Sequence, residues 1–159
     1  MERYRFALKW GVIFTAMGLL WMLLERLLGL HDERIEMHAW ATNLILFPAV
    51  LVYVLALREK KRIAYGGTMT YKQGFLAGVG ITAVVTLLTP LSQLITSLVI
   101  TPDYFSNMIA YSVNHGMLTQ TEAEEYFSLS NYLLQSTVFA PIAGVVTSAI
   151  VAVFVRSKG

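Results

Sequence analysis

The chain has 159 residues, of which 56% are hydrophobic and only 14% charged, with a formal net charge of +2. Its mean hydropathy is +0.59, and soluble domains carry about 25% charged residues. This composition therefore excludes an ordinary water-soluble domain. Cysteine is absent, which excludes disulfides and thiolate metal ligands.

Four apolar segments predict four transmembrane helices, because each approaches or exceeds the roughly 20 residues that a helix needs to cross a hydrocarbon core. They cover about 7–30, 39–57, 74–100 and 132–155. The first could also be a signal peptide, but Glu25-Arg26-Leu27-Leu28 stands where a small-residue cleavage site would be needed. We therefore expect one all-α domain over 1–159, an integral membrane bundle without room for a soluble catalytic domain.

The segment between the third and fourth spans, about 101–131, has helical patterning. Thr101-Pro102-Asp103 is typical of a helix start, with Thr101 as a cap, and Gly116 can end that helix in a left-handed conformation. Thr119 and Glu122 fit a capping box that opens a second helix. An apolar stripe is formed by Tyr104, Phe105, Met108, Ile109 and Val113. The sequence thus predicts an external amphipathic helical hairpin.

Lysine and arginine are distributed unevenly over the links, and short basic links stay on the cytoplasmic side. Ten of the twelve lie at the chain ends or between spans two and three: Arg3, Arg5, Lys9, Arg58, Lys60, Lys61, Arg62, Lys72, Arg156 and Lys158. The opposite links contain only Arg26 and Arg34 and are rich in carboxylates. The pattern predicts a bacterial inner membrane protein with both ends in the cytoplasm and the acidic hairpin in the periplasm.

The basic link between spans two and three could also contact lipid head groups. Its candidate residues are Arg58, Lys60, Lys61, Arg62 and Lys72. The alternative is that these charges only fix the topology, as in any cytoplasmic link, and we favour this alternative over a specific lipid site.

Three short strings resemble a known family. They are Lys9-Trp10-Gly11, the stretch from Tyr65 to Phe75 (YGGTMTYKQGF), and Pro102-Asp103-Tyr104-Phe105. In these strings and in its layout the chain resembles an uncharacterised bacterial membrane family, domain of unknown function 4199, found mainly among Bacteroidetes. The resemblance extends over essentially the full chain. It implies four membrane helices and no assigned activity, so it supplies no catalytic residue.

Motifs for catalysis or cofactors are missing from the sequence. No Gly-x-Ser-x-Gly context or phosphate loop is present. The three histidines, His31, His38 and His115, all fall in acidic external regions. No ligand spacing links them, so we interpret them as solvated loop residues and predict no metal site, although a weak divalent-ion site is the alternative.

Polar residues inside the spans should find partners within the bundle rather than face lipid. Counted from the outer ends of their helices, Glu25 and Arg26 lie in the outer turn, Asn43 and Gln135 about one turn deep, and Gln93 about two turns deep. They could form one polar layer in the outer half of the bundle. We interpret the layer as interhelical hydrogen bonding, with a solute or proton site as the alternative.

Small residues recur every four positions in the third and fourth spans, which lets helix backbones approach closely. The candidate packing positions are Gly74 and Gly78 in the third span and Ala140, Gly144 and Ser148 in the fourth. These ridges could pack within the chain or seat a second subunit.

Together these features favour a non-enzymatic membrane scaffold or accessory subunit that binds lipid or a membrane partner, as a homo-oligomer or a hetero-complex. No cofactor and no nucleic acid partner is expected. A small oligomeric transporter or channel that uses the polar layer is the alternative from another class, and a membrane enzyme is the third.

Overall fold

A computed structural model describes residues 2–157, with side chains from Tyr4 onward. The secondary structure of this part of the chain is entirely helical, with no β-strand, as expected for an all-α protein. The helices are α1 (Glu2–Leu27), α2 (Ile35–Ala41), α3 (Leu46–Ala64), α4 (Tyr71–Ile95), α5 (Tyr104–Asn114), α6 (Gln120–Tyr126) and α7 (Leu129–Val155). The side chain of Arg3 and the whole of Lys158, both used for the predicted orientation, lie outside the described residues.

Four helical stretches are long and apolar enough to cross a membrane, which confirms the predicted number of spans. They are Tyr4–Leu27, Ile35–Ala64, Tyr71–Ile100 and Leu129–Val155. A 3₁₀ turn, Thr42–Ile45, joins α2 to α3 in the second, and a π turn, Thr96–Ile100, extends α4 in the third. The second span is longer at both ends than its apolar run. Its charged C-terminal residues continue the helix, because Lys and Arg are good helix formers and complement the helix dipole.

The first span ends earlier than predicted, at Leu27, because Gly29 terminates it. Gly29 has a φ of 73°, a left-handed conformation that glycine adopts without steric cost. The amide of Gly29 donates to the Arg26 carbonyl (2.9 Å) and that of Leu30 to the Glu25 carbonyl (3.0 Å). This pair of bonds is a Schellman cap. The chain therefore turns back on itself immediately beyond Glu25.

The third and fourth spans form a close helix pair through the predicted small residues. A Cβ placed on Gly78 would lie 2.6 Å from the Ser148 Oγ, and one on Gly144 would lie 2.4 Å from the Thr82 Cγ2. Gly74 faces Ala152 in the same way, at 3.4 Å from its Cβ. Ala140 is half-buried at the outer end of this ridge. The ridges thus pack against each other within the chain.

The core of the bundle lies beside this helix pair. Tyr53 is 1% exposed, and its hydroxyl hydrogen-bonds to the Thr82 Oγ1 at 2.8 Å. Ile81 and Leu57 beside it are fully buried. α1 joins the core through Trp10 and through Gly11, whose added Cβ would lie 2.5 Å from the Val84 Cγ1. A buried hydrogen bond inside an apolar shell fixes the relative positions of the second and third spans.

Two ends of the bundle are distinguished by charge. The basic end contains the start of α1, the link from α3 to α4 and the end of α7, and the acidic end contains the links 28–34 and 101–128. At the basic end the Lys9 Nζ lies 2.6 Å from the Glu59 Oε2, and the Trp10 Nε1 donates to the other carboxylate oxygen of Glu59. These contacts join α1 to α3.

The segment between the third and fourth spans contains α5 and α6. Gly116 ends α5 with a φ of 64° and a Schellman cap, and Thr119 and Glu122 form the predicted capping box at the start of α6. The prediction that Thr101 caps α5 is wrong. Its hydroxyl instead donates to the Thr96 carbonyl at 3.0 Å, the same carbonyl that accepts the Thr101 amide at 2.8 Å and closes the π turn at the end of the third span.

Candidate functional site

Glu25, His31 and His38 meet at the acidic end of the bundle. The Glu25 Oε2 lies 3.1 Å from the His31 Nε2 and 3.4 Å from the His38 Nδ1. Glu25 is 1% exposed and His31 5% exposed, and the His38 side chain is 13% exposed. One ligand atom from each residue lies within 4.8 Å of the others. We call this group the Glu–His–His centre.

Local structure explains how residues far apart on an extended chain come together here. Glu25 occupies the last turn of α1, and the Schellman cap at Gly29 reverses the chain so that His31 returns beside it. His38 lies on α2, which begins at Ile35, a residue only 9% exposed. Burial of Ile35 holds α2 against the bundle with His38 turned toward Glu25.

Two further side chains hold the Glu–His–His centre in place. The Trp21 Nε1, one turn earlier on α1, donates to the Glu25 Oε1. The Tyr104 hydroxyl on α5 lies 3.0 Å from the His38 Nε2, and its ring meets both imidazoles edge-on at about 5 Å. Burial raises the pKa of Tyr104 above its ordinary value, so its hydroxyl stays neutral. Glu25 and His38 thus each have a side-chain partner outside the centre.

The ring nitrogens of the centre are incompletely satisfied. The Nδ1 atoms of His31 and His38 are buried and have no hydrogen-bond partner among the described residues. The His38 Nδ1 is near the Glu25 Oε2, but at 3.4 Å it does not have hydrogen-bond geometry. Buried polar atoms are normally paired. The His38 Nδ1, which lies near the Glu25 Oε2, therefore has free capacity for a ligand.

A cavity of about 180 Å³ adjoins the centre. It is lined by Met22, His31, His38, Thr42, Gln93, Thr96, Ser97, Thr101, Tyr104 and Tyr132. Its polar lining comes from the second, third and fourth spans, from His31 and Thr101 in the links and from Tyr104 on α5, whereas the first span contributes the apolar Met22. Such a volume accommodates an ion with a few water molecules, since one water occupies about 30 Å³ in the liquid.

The predicted polar layer is only partly assembled. Glu25 is in the centre, and Gln93 lines the cavity while donating to the Ser97 Oγ at 2.9 Å. Arg26 points elsewhere: its guanidinium donates to the carbonyls of Val99 and Ile100 at the end of the third span.

Two members of the predicted layer lie outside the cavity beside the centre, although Gln135 shares a neighbouring surface pocket with Gln93. The exposed Asn43 donates to the Ala39 carbonyl of its own helix at 2.8 Å, and Gln135 is exposed on α7. The prediction of interhelical partners is wrong for Asn43, because its side-chain amide donates to a carbonyl one turn earlier in its own helical span. The depth of a residue in a span does not determine which way its side chain points.

The prediction that the histidines are solvated is wrong for His31 and His38, which are part of the buried centre. It is confirmed for His115, which is exposed at the end of α5 and bonds to the Tyr111 carbonyl. The two buried histidines were missed because they meet through Glu25 rather than through His115. The sequence signal for this contact was Gly29, because a helix-ending glycine between Glu25 and His31 indicates that the chain reverses there.

The predicted lipid-contact residues lie at the basic end and are not equivalent. Lys61 donates to the Val155 carbonyl at 3.0 Å and thereby caps α7, whereas the Lys60 Nζ lies 4.8 Å from the centre of the Phe6 ring. Arg58, Arg62 and Lys72 are exposed. Only some of these cations are therefore free to meet a lipid.

An all-helical bundle with four apolar spans and a polar centre at one end defines a multi-pass membrane protein. The family model described as "Protein of unknown function (DUF4199)" matches residues 9–157, so the chain belongs to that family. No curated protein matches the chain significantly, and no solved structure does so.

Proposed function

We propose that this protein is a non-enzymatic membrane accessory protein that binds one divalent transition-metal ion, of the zinc type, at the Glu–His–His centre. The observation that carries the proposal is the convergence of three buried ligand atoms within 4.8 Å of one another. Two imidazoles and one carboxylate suit zinc and its neighbours, whereas calcium and magnesium prefer all-oxygen sites.

The distances support this assignment. Zinc binds histidine nitrogen and carboxylate oxygen at about 2.0–2.1 Å, so adjacent ligands of a tetrahedral site lie about 3.3–3.4 Å apart. The two distances from the Glu25 Oε2 to the imidazole nitrogens are 3.1 and 3.4 Å. Small side-chain rotations would bring the three atoms around one ion, and the adjoining cavity would hold a water as the fourth ligand.

Charge also favours a bound cation. A buried carboxylate needs compensating positive charge, and Arg26, the next residue in the chain, directs its guanidinium to the carbonyls of Val99 and Ile100. Within the centre the compensation would otherwise require a protonated histidine. A divalent ion provides it directly and also uses the imidazole nitrogens as ligands.

The arrangement supports binding rather than catalysis. Metal-dependent hydrolases retain a separate acid or base beside the metal. Here both histidines in the cavity lining and the adjacent Glu25 would be ligands, and the remaining lining residues are neutral. We therefore propose a sensing, storage or assembly role within a membrane complex.

Zinc binding to the full-length protein in lipid nanodiscs tests the proposal. We expect one ion per chain by competition with a chromophoric chelator, and X-ray absorption showing nitrogen and oxygen ligands at about 2.0–2.1 Å. Glu25→Gln and His38→Ala should each abolish stoichiometric binding. His115→Ala is the matched control, because His115 is an exposed histidine outside the centre, and it should bind normally.

Binding that survives both substitutions, or is lost equally in His115→Ala, would overturn the proposal. In that outcome the centre is only an internal carboxylate–imidazole pair. Zinc should also raise the unfolding temperature of the wild type but not of Glu25→Gln, and this comparison separates loss of the site from loss of folding.

Transport is the second candidate, because Gln93 and the centre share a cavity at one end of the spans. The bundle closes toward the other end, where Tyr53, Thr82 and Ser148 are at most 3% exposed. A cavity that ends on a packed layer favours a binding site over a channel. Zinc uptake into proteoliposomes that is lost in Gln93→Leu would instead favour transport over a binding site.

We also propose that the protein resides in a bacterial inner membrane with both ends in the cytoplasm. Support comes from the clustering of basic residues at one end of the bundle and carboxylates at the other. In this orientation the Glu–His–His centre opens on the periplasmic side.

A further inference from the structure

A second candidate binding site lies at the basic end, between α1 and α4. The two helices touch where Gly11 meets Val84. Toward the basic end they border a groove of about 860 Å³, in which α4 presents three small residues, Ala77, Gly80 and Ala83, beside the larger Leu76. We call this the α1–α4 groove. Its volume is within the usual range for ligand sites, about 300–1,000 Å³.

The mouth of the α1–α4 groove is cationic. Lys60 and Lys72 line it, together with the polar side chains of Tyr65, Thr70 and Gln73, and no lining residue is acidic. An apolar floor below a cationic mouth matches the two parts of an anionic membrane lipid.

The four lysines that the structure describes separate into two pairs. Lys9 is bound to Glu59, and Lys61 donates to the Val155 carbonyl. Lys60 and Lys72, the two that line the groove, have no carboxylate partner among the described residues. The Lys60 ammonium lies over the Phe6 ring instead. The lysines without a carboxylate or carbonyl partner among the described residues are therefore the two that line the groove.

We propose that the α1–α4 groove binds one anionic glycerophospholipid from the adjacent leaflet. Its phosphate contacts the ammonium groups of Lys60 and Lys72, and one acyl chain lies along Ala77, Gly80 and Ala83. A free soluble anion would leave the apolar floor exposed, and a zwitterionic lipid would leave the lysine charge uncompensated. The site is independent of the Glu–His–His centre, which lies at the opposite end of the bundle.

Native mass spectrometry of the full-length protein tests this site, with phosphatidylglycerol as the anionic probe and phosphatidylcholine as the zwitterionic one. We expect one phosphatidylglycerol to remain bound after delipidation. Each lysine near an anionic head group contributes about 1 kcal/mol, which is roughly a fivefold change in affinity. Lys60→Gln with Lys72→Gln should thus weaken binding about 25-fold.

Two comparison variants make the test specific. Arg58→Gln with Arg62→Gln removes two exposed cations that do not line the groove and should leave binding unchanged. Ala83→Leu fills the floor without altering charge and should also weaken binding.

Equal losses in the arginine and lysine pairs would overturn the proposal, because they would show ordinary surface attraction. Unchanged binding in Ala83→Leu would also overturn it, because the floor would then hold no acyl chain. Retention of phosphatidylcholine as strongly as phosphatidylglycerol would exclude a role for the lysines.

Discussion

At the scale of single residues, Tyr104 shows how the candidate centre is organised beyond its ligands. Its neutral hydroxyl contacts the His38 Nε2 at 3.0 Å and the Tyr132 hydroxyl at 3.3 Å. A metal-binding histidine usually has its second ring nitrogen held by a partner, which fixes its tautomer and orientation. Tyr104 fills that position for His38, and it connects α2 to α5 and α7.

We predict that Tyr104→Phe weakens zinc binding about 10- to 100-fold, the usual cost of losing such a partner. The ring stays, so its edge contacts with the imidazoles are preserved and only the hydroxyl is lost. Chelator competition measures the change. Tyr111→Phe, on the same helix and with its ring 4.2 Å from that of His115 outside the centre, is the control. Equal affinities for wild type and Tyr104→Phe would show that His38 needs no such support.

At the scale of helices, the third and fourth spans are bound by close backbone approach. We predict that Gly144→Ala destabilises the protein by about 1–3 kcal/mol, because the new Cβ would lie 2.4 Å from the Thr82 Cγ2 and overpacking has costs of this size. Unfolding in mixed detergent micelles gives the free energy.

Gly18→Ala is the matched control for this packing prediction. Gly18 lies inside α1 with nothing within 4 Å of an added Cβ, so the change should be neutral or slightly stabilising through helix propensity. If the two alanine variants unfold alike, the helix pair does not depend on the Gly144 contact.

The short helix α6 depends on its capping box. Thr119→Ala should increase amide hydrogen exchange in residues 120–126, because the Thr119 Oγ1 accepts from the Glu122 amide and N-caps contribute about 1 kcal/mol. Ser128→Ala, which alters the cap of α7 instead, is the control and should leave α6 unchanged. Equal exchange of α6 in wild type and Thr119→Ala would contradict the prediction.

The same capping box gives α6 a pH dependence. The hydrogen bond from the Thr119 amide lowers the pKa of Glu122 from its ordinary value. A lowered pKa in the folded state means that the stabilisation is complete above the ordinary carboxyl pKa and is lost as pH falls through the lowered value. Protection factors of α6 should therefore fall in acid. Glu122→Gln should remove this pH dependence, since glutamine can cap but does not titrate.

The spans could be predicted from the sequence because a bilayer leaves an apolar chain no alternative to helix. The positions of Gly78, Gly144 and Ser148 followed from their spacing. That they pack on each other rather than on a second copy did not follow, because spacing defines a ridge and not its partner.

The Glu–His–His centre was missed since His31 is six residues from Glu25, too far for one helix turn. Only the reversal at Gly29 brings them together.

At the scale of the whole molecule, the two ends have different chemistry. The acidic end contains the Glu–His–His centre, and the basic end contains the α1–α4 groove. A packed layer around Tyr53 separates them. The proposed metal and lipid sites would then face opposite aqueous phases, and the orientation of the bundle determines which compartment supplies the metal.

The natural absence of cysteine allows that orientation to be measured directly. Single cysteines at Thr121, in α6, and at Thr68, in the link between α3 and α4, are exposed at opposite ends. We predict that Thr121→Cys reacts with a membrane-impermeant maleimide in intact spheroplasts, and that Thr68→Cys reacts only after lysis, because the basic link stays in the cytoplasm. The reverse pattern would place the Glu–His–His centre on the cytoplasmic side, where it would draw on the cytoplasmic metal pool.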